Sequence, residues 1–195
     1  IYAVEEQPFP YLVMEFVPGR TLQELVDESG PLPSAQVAEI GKQIAQGLAA
    51  AHSRGLIHRD IKPSNILVEG GAHTHVKITD FGLARAVDDT SNSLSCVISG
   101  TPMYMSPEQA HGGTIDWRTD LFSLGSVLYF LTSGHPPFRA ATTLAVMQQV
   151  AQVQPQPLEE VIIGIPRWMS SAIVKLLAKR PEDRFQSSEE LLEAF

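Results

Sequence analysis

The chain has 195 residues, a net charge of -8, 44% hydrophobic residues and 18% charged residues. Such a chain is expected to be one globular domain with a sizeable core, and its acidic balance argues against a nucleic-acid-binding face. A single cysteine, Cys96, excludes an intrachain disulfide and a cysteine metal cluster, and the longest apolar stretch, Leu121 to Leu131, is too short and interrupted to span a bilayer.

The sequence opens on Ile1 with no signal-peptide pattern, as expected of a fragment or a processed product. Ile1 to Val4 and Tyr11 to Val17 are short apolar runs that predict two strands joined by a turn. Thr21 and Glu24 stand in capping-box spacing, so a short helix is expected to run to about Glu28. Ser34 is the expected cap of a longer helix. In it Val37, Ile40, Ile44, Leu48 and Ala51 fall on one face at spacings of 3, 4, 4 and 3. Gly55 then sits where a helix ends in the left-handed conformation.

Ile66 to Glu69 and His75 to Thr79 predict a hairpin around Gly-Gly-Ala. Phe81 to Met105 shows little periodicity and reads as one long loop, a length that is usually functional or disordered. The segment from Asp116 to Gly134 is apolar on nearly all sides and predicts a central buried helix. Two more helices are expected in Thr142 to Gln152 and Arg167 to Arg180. A last one, at Ser187 to Phe195, has Ser187 and Glu190 as its capping box. The fold class expected is α+β.

One stretch between apolar runs, His58-Arg59-Asp60-Ile61-Lys62-Pro63-Ser64-Asn65, gathers polar groups on the loop from the long helix to the hairpin. Asp80 follows 20 residues after Asp60, in Asp-Phe-Gly at the end of the next strand. The hairpin can return the chain, so that Asp60, Asn65 and Asp80 meet. Two acids and an amide supply hard oxygen ligands suited to Mg2+. Lys62 adds a positive charge able to meet a phosphate. One carboxylate can orient a hydroxyl nucleophile while the other oxygens hold metal, which is a constellation for phosphoryl transfer.

The strings HRDIKPSN, DFG, GTPMYMSPE, TDLFSLG and RPEDRF, in this order, resemble a protein kinase across essentially the whole chain. With SPEQA, the resemblance is to the eukaryotic-like Ser/Thr kinases of bacteria. It implies a kinase-like fold, with residues 1–17 as the end of the small lobe and the hinge, and 18–195 as the large lobe. It implies ATP and Mg2+ as cofactors and proteins bearing Ser or Thr as substrates.

In that resemblance Asp60 is the base that accepts the substrate hydroxyl proton, and Lys62 contacts the moving phosphoryl group. Asn65 and Asp80 hold Mg2+. Met14 is the gatekeeper, the Glu15 carbonyl and Val17 amide meet the adenine edge, and Leu67 forms the floor beneath it. Thr101 hydrogen-bonds the catalytic Asp and Lys. His58 packs on Phe81, Glu108 pairs with Arg184, and Asp120 holds the backbone around HRD. Arg59 pairs with a phosphorylated loop whose candidates are Thr90, Ser91, Ser93 and Ser95. Autophosphorylation at Ser93 or Ser95, through self-association, is expected. A cytoplasmic location is expected because ATP is intracellular.

No G-x-G-x-x-G occurs, and the only lysine before HRD is Lys42, within the amphipathic helix. The phosphate clamp of the family is therefore not in this sequence, and the chain is expected to be a fragment of an active kinase. Two other readings stay open: a kinase-like phosphotransferase acting on small molecules, and a non-catalytic binding module.

Overall fold

The computed structural model describes residues 3–5, 7, 9–13, 15–69, 74–81 and 102–195. The chain begins with an antiparallel hairpin, β1 (Ala3–Glu5) with β2 (Tyr11–Val13), in the register Ala3↔Val13 and Glu5↔Tyr11. The second strand stops at Val13 and does not run to Val17 as expected. Glu15 to Pro18 is irregular, in keeping with a proline that cannot donate to a ladder.

A two-residue strand, β3 (Arg20–Thr21), leads directly into α1 (Leu22–Ser29). Thr21 closes the capping box: its hydroxyl accepts from Glu24 N at 3.1 Å and its amide donates to the Glu24 carboxylate at 2.8 Å. Gly19 is demanded by crowding just before this strand, since a Cβ there would lie 2.4 Å from the Val68 carbonyl oxygen.

The longer helix, α2 (Ser34–His52), buries Val37, Ile40, Ile44, Leu48 and Ala51 along one face. Each larger aliphatic side chain among them contributes about 1.5–3 kcal/mol on burial. Ser34 is the first helical residue and not the cap. Pro33 holds that place and makes no side-chain bond. At the other end Leu56 N bonds Ala51 O and Gly55 N bonds His52 O, the two bonds of a Schellman motif, with Gly55 at φ 72.

A 3-10 turn, Pro63–Asn65, then opens β4 (Ile66–Glu69), which pairs antiparallel with β3 and with β5 (His75–Ile78). A second 3-10 turn, Pro102–Tyr104, precedes α3 (Pro107–His111). The central helix α4 (Arg118–Ser133) is buried over nearly every residue and packs between α2 and α7. The helices α5 (Thr143–Gln152), α6 (Leu158–Val161), α7 (Arg167–Leu176) and α8 (Ser188–Glu193) complete the body.

At α8 Ser187 accepts from Glu190 N, but Glu190 does not return the bond to Ser187. Its carboxylate takes the Gln186 amide at 2.6 Å and Lys175 Nζ at 2.7 Å instead, so only half of the expected capping box forms. Among the described residues no helix is long and apolar enough to cross a membrane.

Candidate active site

The site is built on the loop between α2 and β4. Its foundation is Asp120, fully buried in the first turn of α4. One carboxylate oxygen accepts from Arg59 N at 2.8 Å, and the other from His58 N and His52 Nε2, each at 2.8 Å. These bonds hold Arg59 at φ 69, a left-handed backbone that costs a non-glycine residue about 1–2 kcal/mol. The Arg59 carbonyl is fixed from the other side, by Gln109 Nε2 of α3 at 2.7 Å.

His58 is buried and joins the two halves of the site. Its Nε2 donates to the Thr79 carbonyl at 2.8 Å, and its Nδ1 accepts from Asp60 N at 3.2 Å. A carbonyl can only accept and an amide can only donate, so the two contacts fix the tautomer. The ring also lies 4.7 Å from that of Phe81. Thr79 in turn donates its amide at 2.9 Å and its hydroxyl at 3.1 Å to the Asn65 carbonyl. Asp80 therefore leaves β5 beside Asn65, at φ 60, a conformation that Asp tolerates better than most residues.

The Asp60 carboxylate receives two donors on one oxygen, Lys62 Nζ at 2.7 Å and Asn65 Nδ2 at 2.9 Å. Its side chain stays 49% exposed while that of Lys62 is 19% exposed. The acid is thus oriented from below and open above. Asn65 spends its amide on Asp60, also bonding the Asp60 carbonyl at 2.9 Å, and its Oδ1 has no partner among the described residues.

Leu67 lies on the β4 face opposite Ile66 and Val68, which enter the core. Glu15 reaches Lys77 of β5 in an ion pair, fastening the irregular stretch after β2 to the hairpin. Val17 is half-buried in that stretch. Met14, Thr101, Thr90, Ser91, Ser93 and Ser95 lie outside the described residues.

A second polar cluster lies beneath α3. Arg184, fully buried, bonds both Glu108 oxygens at 2.8 Å and donates to the carbonyls of Ala178, Lys179 and Arg118. The Thr119 hydroxyl donates to Glu108 at 2.7 Å. Burial pushes Glu108 up, but the Arg184 hydrogen bonds and charge, with the Thr119 hydroxyl, outweigh it and hold the carboxyl below its ordinary value.

Two residues of this architecture carry no expectation from sequence, His52 and Gln109. The spacing Ser106-x-x-Gln109 is a capping-box signal that could have found half of the second role. No local pattern points to the first, because its partner lies 68 residues away.

A helical body around one buried helix, with a hairpin that brings Asp80 and Phe81 to the loop of Asp60, defines a protein-kinase fold. The chain belongs to the protein kinase domain family, which matches residues 1–195. It is 42% identical over 185 residues to the serine/threonine-protein kinase PknB of Mycobacterium leprae, covering 94% of this chain and 29% of that protein. It is 40% identical over 183 residues to a probable serine/threonine-protein kinase of Clostridium perfringens, covering 93% of this chain and 26% of that protein.

Among solved structures it is similar to the crystal structure of the Rad53 kinase domain and SCD2 in complex with AMPPNP. The TM-score is 0.76 at 30% identity, covering 94% of this chain and 67% of that one. The chain spans under a third of the length of the curated relatives it matches, 29% for the first.

Proposed function

We propose that the protein to which this chain belongs is a protein Ser/Thr kinase that transfers the γ-phosphoryl group of ATP to Ser and Thr hydroxyls of proteins. The observation that carries this reading is the Asp60 carboxylate, half exposed and held by Lys62 and Asn65. In that place Asp60 accepts the proton of the attacking hydroxyl, and Lys62 turns from it to the phosphoryl group.

The donor set fits Mg2+. The Asn65 Oδ1 has no described partner, Asp80 is exposed beside it, and both are hard oxygens. Mg2+ characteristically takes one or two such protein ligands and completes its shell with phosphate and water. When bound, the ion neutralises phosphate charge; positioning of the hydroxyl falls to Asp60. Residues 1–17 act as the end of a small lobe and hinge, and 18–195 as the large lobe. The Glu15 carbonyl, the Val17 amide and Leu67 then contact adenine, with Met14 as gatekeeper and Thr101 bonding Asp60 and Lys62.

Arg59 has a buried Nε without a partner among the described residues, which supports a role in meeting phosphate on the loop holding Thr90, Ser91, Ser93 and Ser95. Autophosphorylation there, in the cytoplasm and between two copies, belongs to the same reading.

The test is transfer from Mg-ATP by the full-length polypeptide, offered a generic protein and small alcohols. Protein phosphorylation is expected, and Asp60→Asn should lower it by about 10²–10⁴ while Mg-ATP binding stays within a few-fold. Transfer to alcohols alone would make the protein a small-molecule phosphotransferase. No transfer by the unsubstituted protein would leave a binding module.

A further inference from the structure

Among the described residues of the loop that carries Asp60, Arg59 is the one with a left-handed backbone, at φ 69. Its left-handed backbone is unfavourable for a residue with a Cβ, and such conformations persist only where neighbours over-determine them. Asp120 holds its amide, and the next peptide plane is held at its nitrogen end by the long bond from Asp60 N to His58 Nδ1, 3.2 Å. The Arg59 carbonyl belongs to that plane, and the plane carries the Asp60 nitrogen. Gln109 Nε2 holds this carbonyl at 2.7 Å, across 50 residues of sequence.

The Gln109 amide is itself locked. Its Oε1 accepts from Ser106 N at 3.0 Å, and its backbone N donates to the Ser106 hydroxyl at 3.3 Å, closing the capping box of α3. An oxygen placed on the Arg59 side would face another oxygen, so the orientation of the amide is dictated by both partners. One end of Gln109 serves the helix cap and the other serves the loop.

We propose that Gln109 is a positioning residue for phosphoryl transfer. By donating to the Arg59 carbonyl it fixes the carbonyl end of the Arg59–Asp60 peptide plane, whose nitrogen end His58 holds, and so couples the α3 segment to the aim of the Asp60 carboxylate. This rests on the kinase reading above. The two functions of the side chain can be separated, because Glu is as good a capping-box acceptor as Gln but, when ionised, has no donor for Arg59.

The experiment compares Gln109→Glu and Gln109→Leu with the unsubstituted full-length protein, by kcat, KM for ATP, melting temperature and amide exchange of the peptide around Asp60. At pH 8 Gln109→Glu is expected to lower kcat about tenfold, with KM for ATP within about twofold, as the loss of one hydrogen bond to a reacting geometry predicts. Its melting temperature is expected to fall, since a carboxylate oxygen then faces the Arg59 carbonyl, and exchange around Asp60 should quicken. Gln109→Leu should lower kcat similarly and lose melting temperature as well.

Parent-like kcat in Gln109→Glu at pH 8, or a reduced kcat with parent-like exchange around Asp60, overturns the proposal. If Gln109→Glu does not fold, parent-like kcat in Gln109→Leu overturns it and a tenfold fall supports it. If the parent protein transfers nothing, the kinase reading fails, and unchanged exchange around Asp60 in Gln109→Glu separately overturns the positioning role.

Discussion

The Asp120 carboxylate accepts a hydrogen bond from the Arg59 amide at 2.8 Å, 61 residues away along the chain. Among the described residues it is the one buried group that holds consecutive amides of this loop, since its other oxygen takes His58 N as well. The central helix therefore fixes the loop through a charge placed at its own N-terminal turn. There the unpaired amides of the helix favour an anion, and charge-assisted bonds are the strong ones.

Replacing Asp120 with Asn keeps the shape but offers only one oxygen. Three donors converge on the carboxylate, so the Asn amide nitrogen must face an N–H. The expected cost is about 3 kcal/mol of folding stability, with relaxation of the Arg59 conformation and a fall in kcat. Urea unfolding at pH 7 measures the first. A variant within about 0.5 kcal/mol of the parent would show that Asp120 is not the anchor.

Much of this arrangement is legible in sequence, and the reasons differ by element. The α2 face from Val37 to Ala51 and the Thr21 cap rest on local periodicity and local bonds, and a sequence displays both. The loop from His58 to Asn65 is legible through its chemistry, because few reactions need an acid, a lysine and an amide so close together. The two-residue strand β3 is not legible. Arg20 and Thr21 have no apolar alternation, and they become a strand because the edge of β4 is there to pair with.

The Glu190 arm goes elsewhere for a similar reason. Lys175, 15 residues earlier on another helix, offers a charge, and the Gln186 amide offers a bond. His52 gives no signal, and Gln109 signals only its cap on Ser106, because the partners Asp120 and Arg59 are set by the way α2, α3 and α4 pack.

The Glu108–Arg184 pair gives a pH prediction. The folded state holds the Glu108 carboxyl below its ordinary value of 4.5, so the unfolded chain binds its proton first as acid is added. The stabilisation is complete above about pH 4.5 and disappears as pH falls through the lower folded value. Glu108→Gln leaves Arg184 buried with its charge unanswered, and is expected to cost about 3 kcal/mol or more at pH 7. Below about pH 4.5 the protonated parent comes to resemble the variant, so the gap in urea-unfolding stability should narrow. A gap that stays constant from pH 7 to pH 3.5 would mean that the pair is not ionic in the fold.

Lys179 gives the opposite sign. Its ammonium donates to the Val150 carbonyl at 2.8 Å and sits 4.0 Å from the Phe138 ring centroid, with no carboxylate bonded to it among the described residues. Burial, with the nearby Arg184 charge, pulls its pKa down from 10.5 to about 8. Below pH 8 both folded and unfolded chains carry the proton, and the fold bears the cost of the buried charge. Between pH 8 and 10.5 the unfolded chain still binds a proton that the fold has released, so this group adds stability as pH rises. Lys179→Met keeps an unbranched side chain over Phe138 and abolishes the titration. The variant is expected to be at least as stable as the parent at pH 7, with the parent gaining on it as pH rises from 8 towards 10. Urea unfolding of both proteins at each pH removes the contribution of every other titrating group from the comparison. A gap independent of pH would mean that Lys179 is not held in a charge-excluding environment.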